Sequence, residues 1–195
     1  VLKKTVLLVL LLGAAFGIMM LATRKTTFVV QTSGDMERPV SVVWQTLKAV
    51  ETWPDWWPGV EKATLSAGLH KGAVLELVLT GNPDRETARV ASVREERELA
   101  WTRPGVLASD TRTTVRLEAS GPGTLVTVVS FIRGPQAFLA RFTGRDEFVR
   151  YHKAILLQLK KFLENSRPDR NTGPGSPKSP HRPEPADGSK QREDR

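Results

Sequence analysis

Two adjacent side chains, Tyr151 and His152, are the strongest candidates for acid–base chemistry in this chain. A histidine in an apolar setting can act as a general base, and a neighbouring tyrosine can donate to a carbonyl. The same residue types also suit a buried, satisfied histidine and a packed tyrosine, so both readings stay open. The other histidines, His70 and His181, are far away in sequence, and no two histidines stand at metal-site spacing. His70 precedes Lys71-Gly72 and reads as a solvated turn residue. The absence of cysteine excludes disulfides, thiolate metal sites, iron–sulfur clusters and cysteine nucleophiles. No paired carboxylates, phosphate loop or nucleotide fingerprint is present. No metal and no cofactor is therefore expected.

Five tryptophans, Trp44, Trp53, Trp56, Trp57 and Trp101, could line an apolar ligand site with N–H groups as polar handles. Trp44 and Trp53 equally suit ordinary core packing. Trp56 and Trp57 are neighbours and are expected to point apart, one of them towards a pocket mouth or a membrane interface.

The elements that must position these residues follow from periodicity. Thr27–Gln31 is β-branched and aromatic and reads as a strand. Pro39 marks a helix start, and Val43, Trp44 and Leu47 recur at helical spacing up to about Val50. A short helical turn is expected around Trp53–Trp57, between two prolines. From Val60 the period falls to two. Leu75, Leu77 and Leu79 alternate with Val74 and Val78, and Gly81-Asn82-Pro83-Asp84 reads as a turn. Strands are expected at Thr87–Glu96, at Leu99–Arg103, along Thr111, Thr113, Val115 and Leu117, and at Thr124–Ile132. Beyond Thr143-Gly144, Phe148, Tyr151, His152, Ile155, Leu159 and Phe162 fall on one helical stripe. The order is strand, helix, short helix, about six strands, long helix. That predicts an α+β fold, a curved antiparallel sheet gripping a long C-terminal helix.

The ends differ from this middle. Thr5–Ala22 is 18 residues without a charge, flanked by Lys3-Lys4 and Arg24-Lys25. As a helix it is about 27 Å long, near the roughly 30 Å of a hydrocarbon core. A cleaved signal peptide competes with an uncleaved anchor. The length of the run and the absence of a small-x-small site before Arg24 favour the anchor. A single-pass membrane protein with its domain outside the cytoplasm is the expected localisation. Residues 165–195 carry six prolines and no aliphatic side chain larger than alanine, and are expected to be disordered. The proline-rich tail could serve as a motif for a protein partner. The expected organisation is thus an anchor over 1–25, a domain over 26–164 and a tail over 165–195.

Net charge is +8, but residues 1–25 hold four cations and no acid, 26–164 hold 18 basic and 16 acidic residues, and 165–195 hold seven and five. The excess sits mostly at the ends, so no nucleic-acid partner is expected.

The opening strand, Arg38-Pro39 with Val43-Trp44, and the run Trp53-Pro54-Asp55-Trp56-Trp57-Pro58-Gly59-Val60 form a pattern. Gly72 before the leucine-rich strand, Leu99-Ala100-Trp101 and Gly123-Thr124-Leu125-Val126-Thr127 continue it. In this order over about 26–164, the chain resembles the START-like helix-grip (SRPBCC) superfamily, especially bacterial polyketide cyclase/dehydrase-type proteins. The resemblance implies a hydrophobic pocket gripped by the last helix and does not by itself imply an enzyme. The expected lining is Trp44, Trp56, Leu75, Leu77, Leu79, Trp101, His152, Ile155 and Leu159. The expected ligand is a hydrophobic or amphipathic small molecule, such as a lipid or a polyketide- or isoprenoid-like compound. The alternatives are a cyclase or dehydratase using Tyr151 or His152, and a scaffold.

Overall fold

The computed structural model describes residues 2–105 and 109–166. The tail expected over 165–195 lies outside the described residues except for its first two positions. Helix α1 (Leu2–Thr23) precedes strand β1 (Thr27–Met36) and helix α2 (Val40–Lys48). A single 3-10 turn, Val50–Asp55, follows. Six strands come next: β2 (Val60–Leu65), β3 (Val74–Leu79), β4 (Asn82–Arg94), β5 (Glu98–Pro104), β6 (Asp110–Ser120) and β7 (Gly123–Arg133). Helices α3 (Pro135–Thr143) and α4 (Arg145–Asn165) close the domain. The strands form one open antiparallel sheet in the order β1-β7-β6-β5-β4-β3-β2. The fold is the expected α+β helix grip.

Register breaks put extra residues on β2 between Val60 and Lys62, and on β4 between Asn82 and Arg85 and between Val90 and Ser92. Each bulge bends its strand and increases local twist, which gives the sheet a concave face for α4. The β3–β4 turn is tighter than the sequence suggests. Leu79 pairs with Asn82, so Thr80-Gly81 alone makes the turn, and Gly81 supplies the required positive φ of 78°. Asn82 therefore opens a strand instead of sitting in a four-residue turn, and β4 begins five residues earlier than Thr87.

Helix α4 crosses the concave face, and its C-terminal half is fastened there. The Arg38 guanidinium donates to the Leu163 carbonyl through Nε at 3.1 Å and Nη2 at 2.8 Å. This satisfies one of the carbonyls that a helix end leaves unpaired, and it places a cation at the negative pole of the helix. Arg38 is itself held, because Thr124 Oγ1 donates to its backbone carbonyl at 2.7 Å. Gly123 permits this closure: a Cβ there would stand 2.4 Å from the Met36 carbonyl oxygen. Beneath this half of α4, Leu156, Leu159 and Leu163 pack with Met36, Val43, Leu47, Val115, Leu117 and Val126 in the main core.

Four of the expected lining residues, Trp44, Trp56, Leu75 and Leu159, belong to this core and not to a cavity wall, each at most 2% exposed. The helical stripe drifts as well, since Leu156 and Leu163 are buried while Phe162 is only half-buried. Replacing Arg38 with methionine should lower unfolding free energy by about 1–2 kcal/mol, read by urea denaturation. A change below about 0.5 kcal/mol would show that the clasp contributes little.

Candidate functional site

The site follows from what faces inward along the strands. On β6 the inward residues run Thr111, Thr113, Val115, Leu117, and the first three pair on β5 with Arg103, Trp101 and Leu99. On β7 the same rows hold Ile132, Ser130, Val128 and Val126. The concave face is thus aliphatic where α4 is fastened and carries hydroxyls and a guanidinium where α4 begins. At that second end the helix stands off the sheet, leaving a cleft of about 320 Å³.

Its apolar wall includes Trp53, Trp57, Trp101, Leu77, Leu79, Val128, Phe148 and Ile155. Arg103, Thr111, Thr113, Ser130, Tyr151 and His152 supply polar groups. Three indoles pack together here. Trp53 stacks on Trp57 with centroids 5.0 Å apart, and Trp101 lies 5.0 Å from Trp53 and 5.3 Å from Trp57. Trp53 Nε1 donates to the Leu47 carbonyl at 3.0 Å. Trp57 Nε1 donates to the Tyr151 hydroxyl at 2.9 Å, and that hydroxyl donates to the Pro58 carbonyl at 3.2 Å. The indole cluster is thereby tied both to α2 and to α4.

His152 is fully buried. Its Nε2 lies 2.9 Å from Ser130 Oγ, while Nδ1 has no hydrogen-bond partner. A proton on Nδ1 would be an orphaned buried donor, so the tautomer with Nε2–H donating to Ser130 is the less costly one. Burial pushes the imidazole down to about 4, and the ring is neutral at pH 7. Burial likewise raises the Tyr151 phenol above its usual value. The Arg103 charge is matched by Glu86, with which it forms an ion pair. The polar end therefore offers hydrogen bonds, with its one guanidinium already neutralised.

Of the expected lining residues, Leu77, Leu79, Trp101, His152 and Ile155 are at the cleft, together with Tyr151. Trp44, Trp56, Leu75 and Leu159 are not; each is buried in the main core. Trp56 follows the 3-10 turn instead of sitting inside a helical turn, and both it and Trp57 end up buried, at 1% and 5% exposure. They do not point apart as expected: their rings lie against each other with centroids 5.3 Å apart, Trp57 reaching the cleft wall and Trp56 packing edge-on to Trp53 at 6.3 Å. His70 is exposed, as its turn setting suggests. Sequence reasoning missed Arg103, Thr111, Thr113 and Ser130 as lining residues. The signal was the change from threonine to aliphatic residues along the inward face of β6, which marks where the core ends. Among the described residues no cluster suited to a metal ion occurs.

A family model described as "Polyketide cyclase / dehydrase and lipid transport" matches residues 27–164. The chain belongs to this family. It is thus a polyketide cyclase/dehydrase-type member of the SRPBCC superfamily. No curated protein matches the chain in sequence. Several solved structures share the family's fold. Protein NE0264 from Nitrosomonas europaea is 21% identical, with a TM-score of 0.58 over 70% of this chain and 94% of that one. Norcoclaurine synthase from Thalictrum flavum, in complex with dopamine and hydroxybenzaldehyde, is 13% identical, with a TM-score of 0.57 over 74% and 91%. The di-domain ARO/CYC BexL from the BE-7585A biosynthetic pathway is 17% identical, with a TM-score of 0.57 over 77% of this chain and 54% of that one. At these identities the likeness is one of fold.

The buried imidazole gives this family member a defined acid limb. The unfolded chain takes up a proton near the ordinary imidazole value of 6.5, the folded chain only near 4. Between those values the unfolded state binds more protons, so stability rises with pH there. The contribution is complete above about pH 6.5 and is lost as pH falls towards 4. Its size is on the order of 3 kcal/mol. Replacing His152 with glutamine should flatten the unfolding free energy between those pH values. An unchanged slope would show that another group governs it.

Proposed function

We propose that the domain binds a hydrophobic or amphipathic small molecule in the cleft between the sheet and the first half of α4. The observation that carries this reading is the cleft itself. Its volume of about 320 Å³ lies within the range of small-molecule sites, roughly 300–1,000 Å³. Aromatic and aliphatic walls with a few converging polar groups are what such sites use. The ligand has an apolar or aromatic body against Trp57, Trp101 and Leu79, and at most a neutral hydrogen-bonding group near Ser130 and Thr113. The family's description includes lipid transport, and the synthase of similar fold holds two aromatic compounds. Both support a ligand of this kind.

We further propose that α1 anchors the protein in a membrane as a single span. It is apolar over Lys3–Thr23, none of it is buried against the domain over its most apolar stretch, and cations flank it. Such a tether would keep the cleft close to lipid.

One observation favours a second reading, a cyclase- or dehydratase-type enzyme. Tyr151 and His152 both reach the cleft, and a neutral imidazole is competent as a base. No carboxylate orients that imidazole, however, and Ser130 occupies its Nε2. The binding reading therefore comes first.

The test uses the full chain in lipid nanodiscs, titrated with 2-naphthol against empty discs. Leu79 lines the cleft and is only half-buried, so tryptophan there should fill the cleft at little cost in stability. Affinity should fall about tenfold or more, a loss of about 1.4 kcal/mol. Unchanged affinity in Leu79→Trp, or none in the wild type, would contradict the proposal.

A further inference from the structure

Helix α3 is amphipathic in the reverse sense. It turns Ala137 and Ala140 inward against Phe28, Val30 and Ile132. Its large apolar side chains face out: Phe142 is 73% exposed, Leu139 54% and Phe138 37%. Phe138 and Phe142 stand one turn apart with rings in edge contact, centroids 5.2 Å apart. Outward-facing phenylalanines on a short helix lose solvation free energy unless something apolar covers them.

The neighbourhood indicates what covers them. Helix α1 touches α3, and only residues 24–26 separate α1 from β1. Three residues reach at most about 10 Å. The junction is also tied down. Gly134 N–H donates to the Thr26 carbonyl at 2.9 Å, and Arg141 Nη2 donates to the Thr27 carbonyl at 2.9 Å. If α1 spans a bilayer, α3 cannot leave the lipid surface. Arg24 and Lys25 at the junction, and Arg141 and Arg145 around the end of α3, are all exposed. Cations beside an apolar helix face suit anionic headgroups, with the aromatic side chains reaching the acyl boundary.

We infer that α3 is a second membrane contact, lying in the interface of the leaflet from which α1 emerges, with Phe138, Leu139 and Phe142 in the lipid. The inference rests on the anchor reading proposed above and extends it to the orientation of the cleft. Only Gly144 separates α3 from α4, and the Phe148 ring lies 5.9 Å from Phe28 beside α3. The cleft-lining residues of α4, from Phe148 to Ile155, occupy its first half. Docking through α3 therefore holds the cleft-bearing end of the domain against the bilayer and sends the Arg38 clasp away from it. An apolar ligand could then pass between bilayer and cleft over a short path.

The chain contains no cysteine, so single labelling sites are clean. Phe142→Cys and Glu118→Cys, the latter an exposed site at the far end of β6, would each carry a nitroxide in the full chain. Both are reconstituted into nanodiscs of phosphatidylcholine and phosphatidylglycerol. The label at 142 should collide with oxygen and be shielded from a water-soluble nickel chelate, and the label at 118 should do the reverse. Equal nickel access at both sites, with the chain still held in the discs, would overturn α3 docking and leave the anchor standing. A chain that does not enter discs would overturn both. Shielding at 142 accompanied by dipolar broadening between labels would mean that a second copy covers the patch, which also overturns the inference.

Discussion

The Arg38 guanidinium on the Leu163 carbonyl decides how the last helix meets the sheet. It fixes the C-terminal end of α4 against the β1–β7 edge, where Thr124 holds the Arg38 backbone in turn. A rigid helix pinned at one end of a curved sheet follows the concavity only over part of its length. Over the second half of α4 the gap is filled by Leu156, Leu159 and Leu163. Over the first half it is held open. The stacked pair Trp53–Trp57 with Trp101 acts as a spacer there, and the Trp57–Tyr151 hydrogen bond sets the separation of helix and spacer. The core and the cleft are two consequences of one packing geometry.

The chemistry of the cleft follows from the same division. The inward rows of β5, β6 and β7 become polar as they leave the core, and those groups are satisfied in place: Ser130 by His152, and Arg103 by Glu86. An unpaired guanidinium there would attract an anion. The cleft instead presents neutral groups, which suits an uncharged ligand more than an anion. The imidazole stays neutral because its burial leaves Nδ1 without a partner that could stabilise a proton.

Much of this was legible in the sequence. The alternation along Thr111–Leu117 and Leu75–Leu79, the break at Gly144 and the stripe from Phe148 to Leu159 gave the elements and their inward faces. What escaped was three-dimensional allocation. Trp44, Trp56, Leu75 and Leu159 are apolar and inward, as are Leu77, Trp101 and Ile155. Only the bend of the sheet and the tilt of α4 decide which of them meets a neighbour and which meets the cleft. Thr113 falls on the inward face with Val115 and Leu117, but periodicity does not distinguish a core position from a cleft wall, so neither it nor Ser130 stands out as lining. Helix α3 was equally hidden. A hydrophobic pattern identifies an apolar face but not whether that face turns towards the core, and here the alanines do so while the phenylalanines turn out.

The central claim is that the space under the first half of α4 accepts an apolar ligand while the space under its second half does not. Methyl-resolved NMR of the full chain in nanodiscs, with 2-naphthol added, tests this directly. Intermolecular NOEs should appear at the methyl groups of Leu77, Leu79, Val128 and Ile155, and be absent at Leu159, Leu163 and Val43. NOEs confined to the Leu159–Leu163 end, or none at any of these methyls under conditions where the ligand is in excess, would contradict it.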